Sequence, residues 1–166
     1  MTLASLVAEY HQEMRTTRRL LERIPAGQFG WRPHPKSFTA GGLASHIVDC
    51  VDWIDRIFTR DEVDIDPSTF RPYRAASLHE LLTAFDDKVA GSKATLAGLD
   101  ESALTAPWRL KLLGKVRVER SKAEAFRGFT VSHLIHHRGQ LSVYLRLLDV
   151  PVPSIYGPSA DERPGM

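Results

Sequence analysis

The stretch HLIHHRGQLSVYL, residues 133 to 145, puts three imidazoles into five positions of a segment that is otherwise apolar at helical spacing. Two histidines four residues apart on a helix have Cβ atoms about 6 Å apart, so one nitrogen of each can reach a single ion at about 2.0–2.1 Å. With His133 as the zero of a 100° rotation per residue, Tyr144 and Phe126 lie at about +20°, Gln140 at about −20°, His137 at about +40° and Phe129 at about −40°. His133 and His137 therefore sit inside the apolar stripe. His136 lies about 60° to the other side of His133 and about 100° from His137, so it borders the stripe and need not face inward. Earlier in the chain His46 shares a stripe with Leu43, Cys50, Trp53 and Ile57 and also faces the core. A single histidine on an apolar face is ordinarily packed, with its nitrogens satisfied by a carbonyl or water. Three buried imidazoles must satisfy two ring nitrogens each, and one metal ion partners all three at once.

Three neutral ligands leave a divalent ion with a net positive charge and open positions, whereas a closed structural site has four protein ligands. Such an ion lowers the pKa of a bound water or thiol to supply a nucleophile, or polarises a carbonyl. No glutamate stands in an HExxH arrangement, so the spacing names no general base and no catalytic residue. The nearest candidates for an outer role are Asp49, about 60° from His46 on its helix, and Tyr144 and Gln140, which follow the histidine pair. Simpler readings are a solvated or histidine-orienting Asp49 and a core Tyr144. Cys50, one turn beyond His46, reads as a packed thiol in preference to a fourth ligand. Arg138 points away from the stripe and is expected to pair on the surface or at an interface. His11, His34 and His79 show no clustering and read as surface residues.

Four helices must position these groups. From Leu3, apolar residues at Leu6, Val7, Tyr10, Met14, Leu21 and Ile24 mark the first, with Thr2 as cap and Pro25 and Gly27 as stop. After the loop GQFGWRPHPKS, Thr39 caps the second. Ser77 with Glu80 and Ser121 with Glu124 read as capping boxes opening the third and fourth, the last running to about Leu148. Apolar stripes on four helices are buried against one another, which makes the chain an all-α four-helix bundle. Between helices two and three, DEVDIDPSTFRPYRAA reads as a crossover. Between three and four, Trp108, Leu110, Leu112, Val116 and Val118 alternate with charged residues around Gly114, the period of a small β-hairpin. The tail VPVPSIYGPSADERPGM is rich in proline and glycine, with Ile155 and Tyr156 able to pin it to the body.

At 166 residues the chain has the length of one domain, residues 1–166. Its 22 basic and 20 acidic residues are scattered, without the basic stripe of a nucleic-acid binder. No apolar run reaches the roughly 18 residues of a membrane span, and the N-terminus turns polar too soon for a signal peptide. A lone cysteine makes no internal disulfide. The expected setting is cytoplasmic, with a small-molecule substrate and neither nucleic acid nor membrane as partner.

WRPHPKSFTAGGLASHIVDCVDW, HLIHHRGQLSVYLR and PSIYGPSADE, taken together and in this order, resemble the DinB/YfiT-like family of metal-dependent enzymes. The resemblance implies a four-helix bundle, commonly a homodimer, holding a divalent ion such as zinc or nickel. It places the metal ligands on His46, His133 and His137, the same three selected by helical phase. It also extends to S-transferases and isomerases in which the metal activates a low-molecular-weight thiol such as mycothiol or bacillithiol, so a thiol co-substrate is one expectation. A non-catalytic metal-binding or stress-associated protein, and a metal-dependent hydrolase, remain alternatives.

Overall fold

The computed structural model describes residues 2–163, and helices dominate it. Helix α1 spans Leu3–Leu21 and opens with a reciprocal capping box between Thr2 and Ser5. After a short 3-10 turn at Ala26–Gln28, α2 runs Ala40–Phe58, with the Thr39 side chain accepting from the Gly42 N–H at 3.0 Å. This hydroxyl fills one of the unpaired donors of the first turn, which is why the proline-rich loop ends there. Helix α3 covers Leu78–Ala97, capped by Ser77 accepting from Glu80 N–H. The Glu80 carboxylate reaches back one residue further than a capping box requires, to the Ala76 N–H at 2.9 Å. A short α4 at Ser102–Thr105 precedes the sheet. Twelve of the nineteen residues of α2 are buried, so α2 is the central element, packed on α3 along one side and on the last helix along another. Among the described residues no helix is long and apolar enough to cross a membrane.

The alternating stretch forms the expected hairpin, β2 at Pro107–Leu112 and β3 at Lys115–Ser121, antiparallel. Its two-residue turn puts Leu113 at φ 51° and Gly114 at φ 75°, the pair of positive angles that matches the twist of the flanking strands. A third strand joins it. Glu62–Ile65, inside the segment read as a crossover, forms β1 and pairs in parallel with β2, Glu62 opposite Arg109 and Ile65 opposite Leu112. Four residues with one buried valine carry too little alternation to stand out in sequence. Two further contacts settle the sheet: Asp64 accepts the Gly114 N–H at 2.9 Å, and the fully buried Trp108 donates its indole N–H to the Arg56 carbonyl at 3.2 Å.

The fourth predicted helix is one rod with a change of winding. It opens as α5 at Lys122–Phe126, with both halves of the Ser121 and Glu124 capping box formed. It then widens into a six-residue π segment at Arg127–Ser132 and continues as α6 at His133–Leu147. Such widening is uncommon and concentrates at functional sites. Here it ends at the first residue of the HxxxH pair. Phe129, in the middle of the widened turn, stacks on Trp53 with ring centroids 5.1 Å apart and also meets Trp108 at 5.6 Å.

Arg138 corrects one expectation. It is 1% exposed and lies inside the bundle, facing α1. Its guanidinium pairs with the Glu13 carboxylate at 2.6 Å, donates to the Glu13 carbonyl and the Thr17 hydroxyl at 3.2 Å each, and donates to the Tyr156 hydroxyl at 2.7 Å. Tyr156 in turn donates to Glu13 at 2.9 Å. The signal for this pair was Glu13 itself, a carboxylate three residues after Tyr10 and thus on the apolar side of α1. The tail is strapped down around this network by Arg19 with Glu162 at 2.6 Å and by Arg146 with Asp161.

Candidate metal centre

Helices α2 and α6 face each other, and at their contact the histidine rings converge. The Nε2 atoms of His46 and His133 are 3.3 Å apart. Two nitrogens held at about 2.0–2.1 Å from one tetrahedral ion stand about 3.3–3.4 Å apart, so this spacing fits shared coordination. The His137 ring centroid lies 4.5 Å from that of His46 and 4.7 Å from that of His133. Gln140, one turn on, has its Oε1 2.8 Å from His137 Nδ1. An amide oxygen only accepts, so Nδ1 carries the proton and Nε2 presents its lone pair. The ring of Phe38, from the loop before α2, stacks on His46 at 5.8 Å and 27°.

The electrostatics suit a ligand role. Burial, followed by the neighbouring His137, His133 and Arg74, pushes the His46 imidazolium down to about 4. His133 is lowered by burial and by His137 and His136, against a hydrogen bond toward the Phe129 backbone that raises it. Burial also lowers His137, opposed by its bond to Gln140. All three rings are neutral at pH 7, the state a metal requires of imidazole. Burial, which penalises the charged ring, is the leading physical reason, with repulsion between neighbouring imidazoles adding to it.

A family model described as the DinB superfamily matches residues 9–141. The chain belongs to the DinB superfamily. The uncharacterized protein YrdA of Bacillus subtilis is 26% identical over 172 residues, covering 97% of this chain and 92% of that protein. Among solved structures, a DinB-like protein from Bacillus cereus superposes with a TM-score of 0.74 at 18% identity, covering 93% of this chain and 98% of that one. The DinB-like protein YjoA of Bacillus subtilis gives 0.67 at 19% identity, over 87% and 92%. These likenesses establish the DinB fold for this chain.

Within this DinB bundle the remaining candidates separate clearly. His136 is exposed, its ring centroid 4.9 Å from that of His137. Cys50 comes closer to the centre than packing alone suggested: its sulfur and donor nitrogens of His46 and His133 all lie within 4.8 Å of one another. That His/Cys/His group is one that can hold a metal ion. Burial, reinforced by Asp49, pushes the Cys50 thiol up to about 12, so without a cation beside it the sulfur stays protonated at neutral pH. Asp49 is turned to the crossover, where both carboxylate oxygens accept the Tyr73 N–H at 3.2 Å. Tyr144 donates to the Phe38 carbonyl at 3.2 Å and meets Trp31 edge-on at 5.5 Å. It holds the loop that carries Phe38, and through it the ring over His46. Sequence phase had no access to Phe38, because that residue lies outside every helix.

Proposed function

We propose that this DinB protein binds one divalent ion through His46, His133 and His137 and acts as a metal-dependent enzyme on a small molecule, adding a low-molecular-weight thiol to an electrophile. The observation that carries this reading is the 3.3 Å approach of His46 and His133 Nε2. When bound, the ion supplies positive charge that stabilises a thiolate at neutral pH. Gln140 engages His137 Nδ1, which leaves Nε2 as the ring nitrogen available to an ion. The Phe38 ring stacks on His46, held by the Tyr144 bond to the Phe38 carbonyl. In the net reaction the S–H bond of the thiol and the C–X bond of the electrophile are exchanged for S–C and H–X.

The test begins with the metal content of tag-free protein by elemental analysis. One zinc or nickel equivalent per chain is expected, lost in His46→Ala, His133→Ala and His137→Ala and kept in His136→Ala. Metallated protein is then offered bacillithiol, mycothiol, glutathione and coenzyme A with a common electrophile. Turnover with at least one thiol, abolished by His46→Ala, supports the transferase. Full metal content without turnover assigns the protein to the non-catalytic metal-binding class, and turnover of esters without any thiol assigns it to the hydrolases.

A homodimer is a second proposal, supported by Val143 and Leu147, each 57% exposed and one turn apart on α6. A C₂ pairing would cover such a face. Light scattering at micromolar concentration should return the mass of two chains; the mass of one rejects it.

A further inference from the structure

Beside the histidine cluster, at the opening end of α2, lies a cavity of about 470 Å³, a size suited to a small-molecule ligand. Phe38, whose ring stacks on His46, lines it together with Ser45, Arg32 and Arg74. Neither guanidinium has a carboxylate partner among the described residues. Arg32 donates only to the Pro35 carbonyl at 3.3 Å, and Arg74 only to its neighbour's carbonyl, that of Tyr73, at 2.7 Å. A guanidinium has five N–H donors in a fork matched to carboxylate and phosphate, so most of the donor capacity of both arginines is unspent. No Asp or Glu stands among the described residues lining the cavity.

The first turn of α2 contributes its field but not its donors. Ala40 N–H goes to the Trp31 carbonyl, Gly41 N–H to that of Phe29, and Gly42 N–H to the Thr39 hydroxyl. The positive end of the helix dipole therefore faces the cavity while the hydrogen bonds to an anion must come from the two arginines. Space at this wall is tight: a Cβ on Gly41 would stand 2.3 Å from the Phe29 ring.

We infer that Arg32 and Arg74 form an anion subsite, which binds a carboxylate or phosphate group of the small molecule whose reactive end lies at His46. The inference rests on the proposed enzyme reading for the second half of that statement, and on the cavity alone for the first. It narrows the substrate or thiol to an anionic one.

The test uses full-length protein stripped of metal by chelation and the amide and arginine Nε–H signals of its NMR spectrum. Succinate and inorganic phosphate are titrated separately, with neutral dimethyl succinate as control. Saturable shifts confined to Gly42, Ser45 and the Arg32 and Arg74 side chains are expected with at least one anion and not with the diester. The two anions tell a carboxylate site from a phosphate site. Affinity should fall at least tenfold in Arg32→Gln and in Arg74→Gln and be lost in the double variant, while Arg117→Gln, which removes an exposed arginine of β3 outside the cavity, binds the anion as the parent does. Both arginines are exposed, so these variants are expected to fold. The subsite is overturned by non-saturable shifts with both anions, by equal binding in Arg74→Gln, or by binding of the diester. Because no metal is present, failure here leaves the histidine ligand set standing, and failure of metal binding in the histidine variants leaves this subsite standing.

Discussion

Arg138→Met should lower the unfolding free energy of the metal-free protein by about 3–5 kcal/mol, the loss that follows when one member of a buried ion pair is removed. The 1% exposed guanidinium answers four acceptors, and its removal leaves the Glu13 carboxylate, on a residue 4% exposed, with only the Tyr156 hydroxyl as donor. The double change Arg138→Met with Glu13→Leu should recover much of that loss, since apolar replacement of a whole buried pair is often neutral or better. Urea unfolding of the two variants measures both. A loss below about 1 kcal/mol in the single variant, the range of an exposed pair, would contradict this account of the network.

Zinc or nickel at about a thousand times its dissociation constant should add about 4 kcal/mol to stability, because the folded chain alone assembles the site. For a chain of this length that is roughly 8–16 °C in Tm. The same addition should leave the Tm of His46→Ala unchanged. Acidity acts on the same groups. Their folded pKa values lie below the unfolded value, His46 at about 4, so over the intervening range the unfolded chain binds more protons than the folded one. Stability from these histidines is then complete above the unfolded value of about 6.5 and is lost as pH falls through their lowered folded values, the His46 share by about pH 4. Metal release takes up protons and runs in the same direction. Urea midpoints of the metal-free protein between pH 7 and 4 should fall more steeply than those of His46→Ala; parallel curves would show that the cluster carries no such linkage.

Phase arithmetic brought His46, His133 and His137 together because α2 and α6 are regular over those residues, and a regular helix fixes direction by counting. The capping residues were readable for the same reason: each is a local exchange between a side chain and backbone donors within three residues. What escaped was decided by partners distant in sequence. Strand β1 exists because β2 lies beside it, the burial of Arg138 depends on a carboxylate 125 residues earlier, and Phe38 reaches His46 from a loop. The π segment was also hidden, since a widened turn changes backbone bonding without a motif of its own.

His46 and His133, whose Nε2 atoms meet at the centre, are 87 residues apart in the chain, and this separation sets when the proposed site can form. At roughly 5–20 residues per second, about 4–17 s of synthesis separate His46 from His133. In that interval the emerging chain holds only one of the three imidazoles, His46, with Cys50 one turn further along the same helix. The second helix of the site is also among the last elements to leave the ribosome, so the proposed site is complete only once α6 has docked on α2. An ion held there would therefore report that α6 has docked on α2.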